Sequence, residues 1–236
     1  MASSIIVSVE GNIGSGKSTF LEDLKRSQCK NIGNYRFVFV QEPVGEWMQI
    51  KDKSGKNMLT KFYDNQKRYA FSFQMMAYIS RLVLLKRTYE ENPTNTIIVT
   101  ERSMHTDRHV FAKMLYDDNK IEDVEYQIYL KWFDEFIKEL PLSGMVYLRT
   151  IPETSYVRVI KRDREGETID LSYLKKCFTY HESWLNVESK VFVLDITEEN
   201  NETNTAYWIN EFTKYLRRSL LNEVDQIETC ASVDGI

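Results

Sequence analysis

The chain has 236 residues, of which 42% are hydrophobic and 28% are charged, with only 9 glycines and 4 prolines. This balance is typical of a globular protein and excludes wholesale disorder and a fibrous repeat. The net charge of −4 argues against a general nucleic-acid binder, because a phosphate backbone attracts an excess of Lys and Arg. A polyanionic ligand would therefore have to be bound by a local cluster of basic residues.

The first residues and the cysteines give no sign of export or membrane insertion. No stretch is as long and apolar as a membrane span, and a strand-like run begins at Ile5, which leaves no room for a signal or transit peptide. The three cysteines, Cys29, Cys177 and Cys230, are far apart and odd in number, so we interpret them as free thiols. We expect a protein that is cytoplasmic, or lies in another reducing compartment, and that binds neither membranes nor nucleic acid.

Short β-rich runs alternate with longer helical stretches along the chain. This alternation is typical of a parallel sheet covered by helices, because each parallel connection needs a crossover. We count one domain over residues 1–221, followed by a flexible acidic tail over residues 222–236. The fold is predicted to be α/β, with a parallel sheet of five apolar strands at residues 5–9, 37–40, 97–100, 145–148 and 191–194.

Three of the helical stretches have distinctive sequence patterns. Residues 57–91 are too long for a strand and predict one or two helices. Pro152 opens a later helix, which runs into a very charged segment. Residues 121–139 carry apolar side chains at steps of three and four, which either pack in the core or form a subunit contact. The members of this stripe are Ile121, Val124, Ile128, Trp132 and Phe136.

The most specific motif follows the first strand. Its glycines allow backbone N–H groups to point at phosphate oxygens, and the helix that begins there adds the positive end of its dipole. Lys17 would bridge the β- and γ-phosphates of a donor, and Ser18 would offer its hydroxyl to Mg²⁺. The motif has the phosphate-binding loop pattern and reads Gly11, Asn12, Ile13, Gly14, Ser15, Gly16, Lys17 and Ser18, followed by Thr19.

This phosphate loop occurs in switches, motors and small-molecule kinases alike. A GTPase switch needs an Asn-Lys-x-Asp guanine motif, whereas Asn119 and Lys120 are followed by Ile121 and Glu122. A motor ATPase commonly ends a strand with an Asp that directs Mg²⁺, but residues 97–100 lead into Glu-Arg-Ser. A small-molecule kinase is therefore favoured.

Several groups of residues, taken in order along the chain, together resemble the deoxynucleoside kinase family. They are residues 10–19, residues 41–44 with Trp47, Phe73 with Gln74, residues 101–103 with Asp107 and Arg108, and residues 158–167. The resemblance implies a phosphate-loop kinase core with an arginine-rich lid and a homodimer packed through helices. It also implies transfer of a phosphoryl group from ATP, or another nucleoside triphosphate, to a deoxynucleoside 5′-hydroxyl with Mg²⁺.

The resemblance assigns roles to residues that follow the second and third strands. Glu42 stands at the carboxyl edge of the sheet, where ligands bind in open α/β folds. It is similar to the family's general base, although a surface carboxylate would also explain it. Glu101 corresponds to a residue that helps to hold Mg²⁺. Arg102 corresponds to a residue that orients the carboxylate of the general base, and its charge would keep Glu42 ionised.

The charged segment contains a cationic cluster at helical spacings of three and four, made of Arg158, Lys161 and Arg162. A solvated helix face would explain it, but like charges at helical spacing repel one another, which favours a polyanionic ligand. By resemblance, Arg162 and Arg164 close on the transferring phosphoryl group, while Arg158 supports them and, with Arg162, contacts the donor. Glu167 matches the acceptor for the sugar 3′-hydroxyl, with Tyr63 as its partner. The family often has a second acidic residue where this chain has Gly166.

A neutral nucleobase has to be held by aromatic faces and a few hydrogen bonds. Gln74 offers a donor and an acceptor side by side. Arg81 and Asp107 resemble positions of the deoxycytidine- and deoxyguanosine-preferring members, whereas thymidine-preferring members have apolar residues there. A carboxylate accepts from an exocyclic amino group, so deoxycytidine or a purine deoxynucleoside is expected to be preferred over thymidine. Core packing would also explain each predicted aromatic wall, namely Trp47, Phe73 and Phe111.

Two other functions remain open. A nucleoside monophosphate kinase of the thymidylate type would need more basic residues around its acceptor, and Glu42 and Glu167 disfavour an anion there. A catalytically inert, nucleotide-binding regulatory subunit would use the stripe at residues 121–136 to bind a partner. The presence of the whole set of catalytic residues favours the kinase.

Overall fold

Six strands form a single sheet in the computed structural model, which describes residues 2–198 and 201–220. The strands are β1 (Ile5–Glu10), β2 (Asn31–Ile32), β3 (Tyr35–Val40), β4 (Thr96–Glu101), β5 (Gly144–Arg149) and β6 (Val191–Asp195). Their spatial order is β2-β3-β4-β1-β5-β6, and all neighbours are parallel except β2 and β3. The predicted tail over residues 222–236, together with Cys230, lies outside the described residues.

The prediction of a parallel α/β sheet is confirmed, but the count of five strands is wrong. All five predicted strands are present, and β2 adds a sixth at the edge of the sheet, where it pairs antiparallel with β3. A strand of two residues is too short to carry any periodic pattern, so only its pairing partner identifies it. Neither Cys29 nor Cys177 forms a disulfide bond.

Helices connect the strands. They are α1 (Lys17–Arg26), α2 (Val44–Gln49), α3 (Met58–Asp64), α4 (Gln66–Glu91), α5 (Met104–Thr106), α6 (Lys113–Asp117), α7 (Asp123–Phe136), α8 (Pro152–Arg162), α9 (Leu171–Leu185) and α10 (Glu202–Tyr215). The predicted segment 57–91 is two helices, separated at Asn65, whose side chain caps α4 by accepting from the Arg68 amide. Pro152 opens α8, as predicted. Within the described ranges, no helix is long and apolar enough to cross a membrane.

Both faces of the sheet are covered, which explains why its central strands β1, β4 and β5 are buried along almost their whole length. On one face, Val7, Val99 and Leu148 pack with residues of α1 and α10. On the other face, Ile6 and Ile98 pack with residues of α4 and α7. Burial on two sides removes the alternation that a half-exposed strand would show.

Most of the predicted apolar stripe of helix α7 is exposed to solvent. Val124, Ile128 and Trp132 are 65%, 42% and 49% exposed, whereas Tyr129 and Phe133, which lie on the opposite side of the helix, are buried. A core role for these three stripe residues is therefore wrong. The neighbouring helix α4 leaves Ile79 and Val83 exposed as well. We call these five exposed side chains the α4–α7 apolar face.

The strand order determines where a ligand-binding crevice can open. The chain moves from β1 outward to β3 and back to β4, then crosses to β5 and β6 on the other side of β1. Connections that leave in opposite directions open a crevice at the carboxyl ends of the strands. The phosphate loop follows β1 at this point, with Glu42 just after β3 and Arg102 just after β4.

Candidate active site

A cleft of about 890 Å³ opens at the carboxyl edge of the sheet. Every residue predicted for the site lines it except three members of the phosphate loop, Gly11, Asn12 and Ser15. The cleft is therefore formed by segments that are far apart in sequence, which parallel strands bring to one edge. The predicted residues that line it are Ile13, Gly14, Gly16, Lys17, Ser18, Thr19, Glu42, Trp47, Tyr63, Phe73, Gln74, Arg81, Glu101, Arg102, Asp107, Phe111, Arg158, Arg162, Arg164 and Glu167.

The phosphate loop has a backbone that only glycine allows at several positions. Gly11, Gly14 and Gly16 have φ angles of 147°, 75° and 97°, in the region that side chains rarely adopt. A Cβ atom on Gly11 would lie 2.7 Å from the Leu148 carbonyl oxygen, and one on Gly14 would collide with the backbone of α8. The loop thus keeps an open, side-chain-free cradle that fits the phosphate groups of a nucleotide.

Lys17 is held inside this loop. Its Nζ donates to the carbonyl oxygens of Gly11 and Asn12, at 3.2 and 2.7 Å. Burial, together with the charge of Arg102, lowers the pKa of Lys17 to about 7. An anion in the cradle would favour the charged form again, so the lysine is placed to respond to a bound phosphate.

Ser18 and Glu101 meet at the mouth of the loop. The Ser18 hydroxyl donates to Glu101 Oε1 at 2.7 Å, which joins the start of α1 to the end of β4. A hydroxyl and a carboxylate beside a phosphate cradle are the oxygen ligands that Mg²⁺ takes together with substrate phosphates. The two residues fit the predicted metal site.

Glu42 lies between two buried arginines. Its Oε1 is 2.6 Å from Arg81 Nη2 and 3.4 Å from Arg102 Nε. Burial on its own would raise the pKa of Glu42, but Arg102 and Arg81 outweigh it and lower the pKa below its usual value. Arg102 is itself fixed, because its Nη1 donates to the Gly11 carbonyl oxygen at 2.6 Å. Glu42 is therefore an ionised carboxylate in the cleft.

Arg81 makes a contact that the sequence did not predict. Its guanidinium donates to Asp107 and to Glu42 at the same time, and so bridges the predicted base-reading carboxylate and the predicted general base. Burial raises the pKa of Asp107 to about 6, although the charge of Arg81 opposes this shift. The residues are far apart in sequence, so no local pattern could have predicted the bridge.

The wall of the cleft around Gln74 is aromatic. Gln74 is buried, and its Oε1 has no hydrogen-bond partner among the described residues. The Phe73 ring is stacked on Phe62 with centroids 4.4 Å apart and meets Trp47 edge-on at 5.6 Å. A buried, unpaired acceptor beside flat apolar walls suits a planar ligand that carries a donor. Phe111 lies under the Arg102 guanidinium, 5.0 Å from it.

The charged segment folds back over the cleft. Glu167 is paired with Arg162, and its Oε1 is 3.6 Å from Arg164 Nη1. Burial and the charge of Glu167 raise the pKa of Tyr63, which lines the same cleft. Gly166 has a φ of 76°, and a Cβ atom there would collide with Thr60. The departure from the family pattern at this position is thus required by close contact with α3.

Arg158 connects two loops at the other end of the cleft. Its Nη1 donates to the Ser15 carbonyl oxygen at 3.2 Å, and its Nη2 donates to the carbonyl oxygens of Ile196 and Glu198 at 3.1 and 2.9 Å. The arginine thus joins the phosphate loop to the segment after β6.

Sequence reasoning missed several residues of the cleft. Phe62 and Tyr173 are apolar helix positions, which no sequence signal separates from ordinary core residues. Trp208 of α10 packs with Ile196 in one buried cluster, and both residues line the cleft. The sequence offered no aromatic residue in the loop after β6, and only the packing of α10 on that loop shows where one lies.

The sequence of the chain also matches a known family. The family model described as deoxynucleoside kinase matches residues 7–217. Deoxycytidine kinase 2 of Gallus gallus is 32% identical over 246 residues, covering 89% of each chain. Deoxycytidine kinase of Homo sapiens is 34% identical and covers 76% of this chain and 74% of its own length. Mitochondrial deoxyguanosine kinase of Xenopus laevis is 32% identical, covering 85% and 84%. The match of the whole domain, together with the cleft, confirms the resemblance: this chain belongs to the deoxynucleoside kinase family.

Proposed function

We propose that this chain transfers the γ-phosphoryl group of ATP to the 5′-hydroxyl of a deoxynucleoside, with deoxycytidine or a purine deoxynucleoside preferred over thymidine. Deoxynucleoside kinases use nucleoside triphosphate donors, generally with Mg²⁺, and serve nucleotide salvage. The observation that carries the proposal is Glu42, a carboxylate held ionised by two buried arginines in the same cleft as the phosphate loop.

The donor end of the cleft supplies backbone amides and one lysine. The glycine cradle would hold the donor phosphates, and Lys17 would neutralise the charge between the β- and γ-phosphates. Ser18 and Glu101 would hold Mg²⁺, which stabilises negative charge on the phosphate oxygens when it is bound. Arg158 would keep the loop in place, because it holds the Ser15 carbonyl oxygen.

The acceptor end supplies a base and an anchor for the sugar. Both arginine contacts of Glu42 are made by Oε1, so Oε2 is the oxygen that would accept the 5′-hydroxyl proton. Glu167 and Tyr63 would bind the 3′-hydroxyl. Arg162 and Arg164 would place positive charge on the equatorial oxygens of the transferring group, where charge is spread in the transition state.

Base preference would follow from two side chains. Gln74 has an unpaired acceptor, and Asp107 is a carboxylate whose charge depends on Arg81. An amino group on cytosine or a purine can donate to both kinds of oxygen, whereas thymine has no such group. The matched relatives named as deoxycytidine and deoxyguanosine kinases support the same preference.

The direct test is ATP-dependent phosphorylation of the four natural deoxynucleosides with Mg²⁺. We expect Glu42→Gln to lower turnover by roughly 100-fold or more, the usual contribution of a general base, while calorimetry still detects nucleoside binding. Thymidine as the best substrate would refute the base preference alone. Transfer to a deoxynucleoside monophosphate but to no nucleoside would favour the monophosphate kinase, and an inert wild type would favour the regulatory subunit.

We also propose that the α4–α7 apolar face joins two copies of this chain. Helices α4 and α7 pack on each other through Tyr78 and Tyr129, whose ring centroids are 5.8 Å apart. This contact buries one side of each helix and leaves the five apolar side chains of the face exposed. Exposed apolar residues on two helices that pack on each other are typical of a subunit contact.

A further inference from the structure

Glu10 is a buried carboxylate that the proposed reaction does not use. It ends β1, directly before the phosphate loop, and is 0% exposed. Its Oε1 accepts from the Ser103 hydroxyl at 2.5 Å, and its Oε2 accepts from the Thr106 hydroxyl. A carboxylate is costly to bury unless donors satisfy it, and both donors here come from the segment that follows β4.

That segment carries two residues of the candidate site. Arg102 precedes Ser103, and Asp107 follows Thr106. Arg102 has a φ of 65°, a conformation that residues with side chains adopt only when their surroundings hold them there. Each hydroxyl that Glu10 binds is therefore adjacent in sequence to one site residue.

The end of β1 contacts this segment a third time. The carbonyl oxygen of Gly11, the residue after Glu10, accepts from Arg102 Nη1 at 2.6 Å. Burial alone would lower the pKa of Arg81, and the charges of Asp107, Glu42 and Glu10 together raise it. Glu10 thus acts on the nucleoside site both by hydrogen bonds and by its charge, although it does not line the cleft.

We propose that Glu10 is a positioning residue of the nucleoside site. Through Ser103 it holds the backbone that aims Arg102 at Glu42, and through Thr106 it holds the backbone that aims Asp107 at the base. The first bond serves turnover, and the second serves recognition of the nucleobase. This inference rests on the proposed function.

The two bonds can be separated by substitution. Ser103→Ala is expected to lower kcat for deoxycytidine about 10-fold with little change in KM, because one hydrogen bond to a charged group is lost near Arg102. Thr106→Val is expected to raise the KM for deoxycytidine about 10-fold, with kcat nearly kept, and so to raise the kcat/KM for thymidine relative to that for deoxycytidine. Glu10→Gln should show both effects.

A matched control is available at the other end of β4. Thr96 is also buried, and its hydroxyl donates to the Thr94 carbonyl oxygen at 2.9 Å, far from the carboxyl edge. Thr96→Val should lower the melting temperature but leave kcat, KM and the substrate ratio unchanged. Circular dichroism and thermal melts show that each variant is folded, and the two hydroxyl variants decide the question if Glu10→Gln does not fold.

The outcomes separate this inference from the proposed function. An inert wild type would refute both. Two results with an active wild type would refute only the positioning role of Glu10. In the first, Ser103→Ala and Thr106→Val behave like Thr96→Val. In the second, the two variants show the same changes in kcat and KM, so that turnover and base recognition are not separated.

Discussion

Arg81 is the residue whose replacement tests the site most severely. It is buried and paired with two carboxylates, Glu42 and Asp107. Removing one partner from a buried ion pair costs about 3–5 kcal/mol, because it leaves an uncompensated charge. Arg81→Met leaves Asp107 without its cation, whereas Glu42 still has Arg102 at 3.4 Å. Asp107 is therefore the carboxylate that loses its ion pair.

The size of that loss has an upper limit. Asp107 can avoid a buried charge by binding a proton, and at a working pH of about 7.5 this costs about 1.4 kcal/mol for each pH unit above its pKa of about 6 in the folded protein. The part of the loss that comes from the orphaned charge is therefore limited to about 2 kcal/mol. Asp107→Ala in the same chain removes the orphaned group, so the double variant should lose up to about 2 kcal/mol less than the sum of the single variants.

Urea unfolding of the wild type, both single variants and the double variant measures this coupling. The destabilisation by Arg81→Met should shrink as the pH falls from about 7.5 to about 5.5. The reason is that a carboxyl group with a raised pKa in the folded state favours folding at low pH and loses that effect as the pH rises. Additive losses, or a loss that does not depend on pH, would show that Arg81 and Asp107 do not form a buried pair.

The same variants report on substrate choice. Arg81→Met together with Asp107→Ala should widen acceptance toward thymidine, because apolar side chains leave room for its 5-methyl group. The rate should stay below that of the wild type with deoxycytidine, because Glu42 loses one of its two cations. No gain for thymidine would contradict the roles assigned to both residues.

Four further outcomes are expected. The KM for deoxycytidine should rise as the pH falls through about 6, where Asp107 gains a proton and loses the charge that strengthens its hydrogen bond to the base amino group, and Asp107→Asn should abolish this dependence. Lys17 has a pKa of about 7 within the phosphate loop, so calorimetry in several buffers should detect uptake of most of a proton on ATP binding at a pH of about 7.5, which Lys17→Arg should remove. Sedimentation velocity should give about twice the chain mass of 27.9 kDa, falling to one chain mass for Trp132→Lys; a monomeric wild type would refute the dimer. Gly166→Ala should raise the KM for the nucleoside several-fold, since the added Cβ displaces the segment before Glu167, whereas Gly45→Ala, which has open space, should change nothing.

Much of the fold could be predicted from local patterns. Apolar runs predicted five strands, and proline marked the start of α8. The phosphate loop was predictable because its glycines are needed by the backbone itself, as the positive φ angles of Gly14 and Gly16 show. The helix after that loop and the position of Glu42 just after β3 were predicted in the same way, from residues that are close in sequence. Such features depend only on residues that are close in sequence.

The orientation of α7 could not be predicted in the same way. This helix has apolar residues on both sides, including Tyr129 and Phe133 as well as Val124, Ile128 and Trp132. Periodicity shows that a stripe exists, but it does not show which of two apolar sides faces the sheet. Packing against α4 decides this, because Tyr129 contacts Tyr78 and turns the other side outward.

The sequence by itself determined which chemical groups line the cleft: a glycine-rich phosphate loop, carboxylates, arginines and a hydrogen-bonding amide. The tertiary structure decided which of them are joined. Arg81 bridges Glu42 and Asp107, and Glu10 at the end of β1 accepts a hydrogen bond from Ser103, which follows the neighbouring strand β4. The physical reason is that a sequence pattern records local backbone preference and burial, whereas the pairing of charges depends on distances that exist only after distant strands have come together at one edge.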